Sequence, residues 1–122
     1  RVKFIMINTN AIEYDYSEPV PDFDFLEAEA TRDSALFDRS VACVHAAPYS
    51  EQFNNNVLKP FNYYVMNFPN LMFCLYGHGH QIDEHDFFNN GIIYYEVAAA
   101  KKRKYRIFTI TPNGYANEVI SL

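Results

Sequence analysis

Apolar residues run almost unbroken through Val2-Lys3-Phe4-Ile5-Met6-Ile7, which predicts a strand covered on both faces. Between Thr9 and Phe23 the acids, aromatics and prolines (Pro19, Pro21) keep neither a helical nor a strand period, so the stretch reads as loop. Asp24 with Glu27 three residues on resembles a capping box. The Ala-, Leu- and Glu-rich residues 25–36 therefore predict a helix, with Glu27 and Glu29 in solvent near its N-terminus. A short apolar strand, residues 40–44, ends at His45; residues 46–50 are loop, and a second helix is expected within 51–67, kinked or divided at Pro60. Residues 71–76 form another buried-type strand, ending at Gly77-His78-Gly79-His80. Residues 92–97, 105–111 and 115–120 read as strands, the last two joined by Pro112-Asn113-Gly114, so the chain should close in an antiparallel meander. The order strand, helix, strand, helix, strand, meander predicts an α/β layer arrangement around a mixed sheet, in a single domain over residues 1–122.

Composition agrees with a folded domain. Of 122 residues, 49% are hydrophobic and 17% aromatic, enough to build a core. Ten Lys and Arg stand against 15 Asp and Glu, for a formal charge of −5, which argues against a general nucleic-acid binder because such affinity comes from clustered cations. The run Lys101-Lys102-Arg103-Lys104 reads as a solvated turn. No apolar run approaches the roughly 20 residues of a membrane-spanning helix. The sequence leaves the compartment open. Cys43 and Cys74 lie in apolar runs and read as core thiols rather than as a disulfide framework. The chain opens with Arg1 and enters a strand at once, as though a preceding part had been removed.

The chemistry concentrates in the histidines. His45, His78 and His80 follow predicted strands, and in α/β sheets ligands bind beyond the carboxyl ends of the strands. Imidazole is the commonest ligand for zinc and suits iron, nickel and copper. Gly77 and Gly79, lacking Cβ, would allow a sharp loop with φ > 0 that splays His78 and His80 toward two points. His85, within Asp83-Glu84-His85-Asp86, reads as solvated or loop-stabilising. Tyr49, Ser50, Gly77 and Gly79 are candidates for a substrate rim, although Ser50 also reads as a helix N-cap.

These segments resemble a family. The run Asn67-Phe68-Pro69-Asn70-Leu71-Met72-Phe73-Cys74-Leu75-Tyr76-Gly77-His78-Gly79-His80 is similar to the helix, apolar strand and Gly-His-x-His segment of calcineurin-like metallophosphoesterases. Phe25-Leu26-Glu27, leading through a helix to Val41-Ala42-Cys43-Val44-His45-Ala46-Ala47-Pro48, resembles that family's Trp/Phe-Leu-Glu helix, strand and His-x-x-Pro block, in the same order. The resemblance covers roughly residues 2–110, Gly-His-x-His being its most specific part. It implies the C-terminal half of a metallophosphoesterase-like α/β sandwich and hydrolysis of phosphate esters at two ions of Mn, Fe or Zn. His45 and His78 would ligate one ion and His80 the other. Paired ions of this kind clamp a phosphoryl group and activate water for in-line attack.

The family's earlier blocks, Asp-x-His, Gly-Asp and Gly-Asn-His-Asp/Glu, have no counterpart here. They supply a bridging aspartate, further ligands and the histidine that assists the leaving group. No catalytic residue is therefore expected within this chain, which alone should bind metal weakly and be inactive. Asp15, Asp22 and Asp24 are the carboxylates that could in principle substitute, and nothing in their spacing aims them at a strand end. The implied partners are a phosphate-ester substrate and, at an exposed sheet edge, either the missing N-terminal half or a second copy. The alternative is a non-catalytic α/β binding or structural module, with a single metal or a partner subunit.

Overall fold

The computed structural model describes residues 1–14, 19–97 and 100–122. Among the described residues, seven strands and two α-helices are arranged in three layers. The strands are β1 (Val2–Ile7), β2 (Arg39–Val44), β3 (Leu71–Tyr76), β4 (Asp83–His85), β5 (Tyr94–Glu96), β6 (Lys104–Thr111) and β7 (Gly114–Ser121); the helices are α1 (Phe23–Ala30) and α2 (Leu58–Met66). The first five strands make one mixed sheet in the order β1-β2-β3-β5-β4, and β6 and β7 form a separate antiparallel hairpin. The protein is thus α/β with a mixed sheet.

Strands β1, β2, β3 and β5 run parallel, with Phe4 opposite Val41, Ala42 opposite Cys74, and Cys74 opposite Tyr94. Their carboxyl ends therefore share one edge. β4 returns antiparallel along β5. One face of the sheet carries Ile5, Ile7, Ala42, Val44, Cys74 and Tyr94, packed against Leu26 of α1 and Phe61 and Val65 of α2. On the other face Val41, Phe73 and Tyr95 pack against the hairpin residues Phe108 and Tyr115, with Phe73 stacked on Phe108 at 4.4 Å between ring centroids. Both cysteines are core or near-core thiols: burial raises the Cys43 thiol and pushes Cys74 up to about 12.

Several boundaries differ from the sequence reading. Helix α1 starts at Phe23 because Asp22, not Asp24, is its N-cap, accepting the N–H groups of Asp24 and Phe25 at 3.0 and 3.3 Å. It ends at Ala30, and only a 3-10 turn, Ser34–Leu36, follows. Glu29 is not in solvent: it is buried beneath the helix and ion-paired with Lys3 of β1. Helix α2 does not begin near Glu51, because Asn54 and Asn55 compete for the backbone with their side chains, Asn55 bonding the Tyr49 N–H and the Ser50 carbonyl and Asn54 capping the 3-10 turn Asn55–Val57. Pro60 then falls in the first turn of α2, where its missing N–H has no helical partner to lose, so it neither kinks nor divides the helix. At the C-terminus the antiparallel ending is the β6–β7 hairpin; β5 stands apart from it, parallel to β3 in the main sheet.

Strand β1 is covered on one face only. Ile5 and Ile7 are buried, whereas Phe4 is 58% and Met6 68% exposed, because the hairpin reaches across β2, β3 and β5 but not to the sheet's edge. Among the described residues no helix is long and apolar enough to cross a membrane.

Candidate metal centre

The parallel strands deliver His45, His78, His80 and Glu96 to one edge, His45 just after β2, the Gly-His-Gly-His loop just after β3 and Glu96 as the last residue of β5. His45 and His78 meet edge to face, ring centroids 5.2 Å apart and planes at 71°. Two imidazoles on one tetrahedral ion, each nitrogen about 2.0–2.1 Å from it, have centroids about 5 Å apart, so the spacing suits a shared first-row cation. All three histidines are exposed.

The backbone around His45 is pinned from both sides. Thr9, fully buried after β1, donates its hydroxyl to the Ala46 carbonyl at 2.7 Å and accepts the Ala46 N–H at 3.1 Å. From the other side the Gly77 N–H donates to the His45 carbonyl at 3.3 Å. The loops that carry His45 and His78 are therefore tied together through the main chain.

The loop geometry corrects one expectation. The left-handed positions are His78 (φ 73°) and His80 (φ 58°), not the two glycines. Gly77 has open space where a Cβ would stand, while a Cβ on Gly79 would collide with the Glu96 carboxylate, 3.0 Å from Oε1 and closer still to Oε2. What distinguishes position 79 is the close approach of the Glu96 carboxylate rather than φ. Positive φ on a non-glycine residue is uncommon and tends to mark sites where the surroundings hold the strain. Tyr49 (φ 71°) is a third such residue at this site, its N–H held by Asn55 Oδ1 at 2.9 Å.

The expected rim residues Tyr49, Ser50, Gly77 and Gly79 line a single cleft of about 280 Å³ together with His78, Tyr76, Phe87, Asp83, His85 and Glu96. A larger depression of about 690 Å³, lined by Arg1, Arg39, Asn70 and Pro112 among others, lies at the amino ends of the strands and holds no histidine. Ser50 is not a helix cap; its hydroxyl is buried without a partner. His85 is solvent-exposed, as expected, but stands at the end of β4 rather than in a loop; its Nε2 is 2.9 Å from Asp83 Oδ2, and this contact draws the Asp83 carboxyl below the usual range.

Two residues here carried no recognised signal in the sequence. Thr9 looked like the start of a loop. Glu96, only 2% exposed, sits in the apolar run Tyr94-Tyr95-Glu96-Val97, and that lone carboxylate among apolar neighbours was the one clue to it. Burial, helped by the Asp83 carboxylate, raises its carboxyl, and the neighbouring Gly79 backbone and the imidazoles of His78 and His80 offset this in part; the Gly79 N–H itself donates to the Gly77 carbonyl at 2.9 Å.

The donor set is incomplete. Among the described residues no group of three His, Cys, Asp or Glu side chains is placed to hold an ion. Asp22 is spent on capping α1, Asp24 is exposed in its first turn, and Asp15 lies outside the described residues. The residues present fit half a coordination shell, two paired imidazoles with a third, His80, on the same loop. Comparison with protein-family models, with curated proteins and with solved structures found no match for this chain.

Proposed function

We propose that this chain is the C-terminal part of a metal-dependent phosphoesterase domain, and that the intact protein hydrolyses phosphate esters at a dinuclear centre of Mn, Fe or Zn. The observation that carries the reading is the pairing of His45 with His78 at the carboxyl edge of a parallel sheet. Bound ions of this kind supply Lewis acidity toward a phosphoryl oxygen and activated water.

The chain's own residues orient and bind. His45 and His78 would offer ring nitrogens to one ion, and His80 would offer its own to the second. The Thr9–Ala46 and Gly77–His45 hydrogen bonds fix the two histidine loops relative to each other. The cleft beside His78, walled by Tyr49, Tyr76 and Phe87, receives the organic part of the ester. Acidic ligands and the leaving-group histidine come from polypeptide outside these residues, so the chain alone is inactive.

The test is hydrolysis of p-nitrophenyl phosphate esters by a longer polypeptide that restores the upstream segment. Activity should depend on added Mn²⁺ or Zn²⁺, and His78→Ala or His80→Ala should lower kcat at least about 100-fold, about 2.7 kcal/mol. Metal-independent turnover, or no bound metal in either polypeptide, removes the reading. A second reading, a non-catalytic module with a single metal or a partner subunit, is favoured by the incomplete donor set and the bare face of β1. It is distinguished by metal binding without turnover in the longer polypeptide.

A further inference from the structure

The loop of residues 77–82 leaves β3 and enters β4, and these two strands flank β5 in the sheet. It must therefore cross over the carboxyl tip of β5. Glu96 is the residue at that tip, opposite Tyr76 at the end of β3 and Asp83 at the start of β4. Topology thus places a carboxylate directly beneath Gly79, the residue between two histidines with left-handed backbones.

We propose that Glu96 is the positioning residue for His78 and His80: its carboxylate, wedged between the tip of β5 and the crossing loop, holds Gly79 and thereby sets the backbone of both histidines. The functional consequence rests on the phosphoesterase reading; the loop's dependence on Glu96 does not. Three observations support it. A Cβ at 79 would collide with Glu96 Oε2, so the carboxylate lies directly against the Gly79 backbone and would have to shift to admit any side chain there. A carboxylate only 2% exposed in an otherwise apolar strand is costly, and no cation forms an ion pair with it among the described residues. Around it stand the Gly79 backbone, whose N–H closes a tight turn onto the Gly77 carbonyl at 2.9 Å, the Asp83 carboxylate and the two imidazoles, while Arg106 donates to the Glu96 main-chain carbonyl at 3.3 Å. Finally, Oε2 has no hydrogen-bond partner. An acceptor is thus free beside His78 and His80, and metal-ligating histidines as a rule donate their second ring N–H to a carboxylate or carbonyl.

The experiment uses the full chain, with Co²⁺ as the probe. In Glu96→Gln, amide exchange at Gly79 should rise at least about tenfold and Co²⁺ affinity, followed through the ¹H–¹⁵N shifts around His45 and His78, should fall at least about tenfold, the range seen when partners of metal ligands are removed. Val65→Ala, a destabilising control in the buried face of α2 and outside the loop, should leave Gly79 exchange relative to its neighbours and Co²⁺ affinity unchanged. Gly79 exchange within about twofold of the unaltered chain in Glu96→Gln overturns the proposal. If Glu96→Gln does not fold, Glu96→Asp, which keeps the charge and withdraws it by one methylene, is read by the same two criteria. Absence of any Co²⁺ response in the unaltered chain and in the longer polypeptide defeats the phosphoesterase reading alone; Gly79 exchange and the backbone couplings of His78 and His80 then decide the role of Glu96.

Discussion

Glu29 shows how a single side chain's environment follows from its spacing. It lies three residues after Leu26, and positions i and i+3 share a helix face, so the face that buries Leu26 against the sheet buries Glu29 as well. Lys3 reaches it from β1, and Arg32 approaches its other oxygen at 3.6 Å from a more exposed position. A carboxylate at such a site is tolerated because it is paired, and removing one partner strands the other. Lys3→Ala should therefore lower stability by about 1–2 kcal/mol, less than for a fully buried pair because Lys3 is partly exposed and Arg32 remains. The double change Lys3→Leu/Glu29→Leu should recover most of that loss. Urea unfolding of both variants is the measurement, and a Lys3→Ala midpoint equal to that of the unaltered chain would show the pair to be inconsequential. The i, i+3 relation was readable in the sequence, but its meaning required knowing which face of α1 meets the sheet.

At the scale of elements, the sequence located β3 and the Gly-His-Gly-His loop well, because a continuous apolar run that stops at glycines and imidazoles suits a buried strand ending in a loop and little else. It misjudged β1, since Val, Phe, Ile and Met at successive positions are apolar whichever face is covered; only the hairpin's placement reveals that Phe4 and Met6 stand outside. It missed β4, because Asp83-Glu84-His85 is polar throughout and becomes a strand only by pairing with the backbone of β5. The site was legible to the same degree. The histidines announced themselves by spacing, whereas the role of Glu96 depends on a loop crossing that no local pattern encodes. The hairpin itself depends on a few aromatic contacts: Phe73 is 1% exposed, stacked on Phe108 and 4.6 Å from the ring of Tyr115. Phe73→Ala should cost about 3–5 kcal/mol, the usual penalty for emptying a buried aromatic site. Hydrogen exchange should then show β6 and β7 losing protection before β2 and β3. Uniform loss across all four strands would mean that the hairpin is not a separately anchored layer.

For the molecule as a whole, β1 is the edge of the main sheet that carries an uncovered apolar face, while the opposite edge strand, β4, is polar. Among the described residues no strand pairs with β1 on the side away from β2, and Val2, Phe4 and Met6 present a strip of apolar side chains 38%, 58% and 68% exposed. Open sheet edges with apolar faces pair with other strands unless charge or proline blocks them, and Lys3 does not block this one because it turns to the opposite face to meet Glu29. The same edge lies next to the strand that ends in His45, so whatever docks on β1 also arrives beside the incomplete donor set. Completion of the site and covering of the sheet are, in the proposed function, one event. The chain by itself should then associate, and Phe4→Lys/Met6→Lys should return it to a monomer while leaving the His45–His78 contact intact. Sedimentation velocity across a range of roughly 5–200 μM, the range in which weak strand-edge contacts of about 5–7 kcal/mol populate dimers, makes the comparison. A monomer at every concentration for the unaltered chain, with β1 amides protected to the same degree as those of β2, would mean that the edge is satisfied without a partner and would separate the fate of the sheet from that of the metal site.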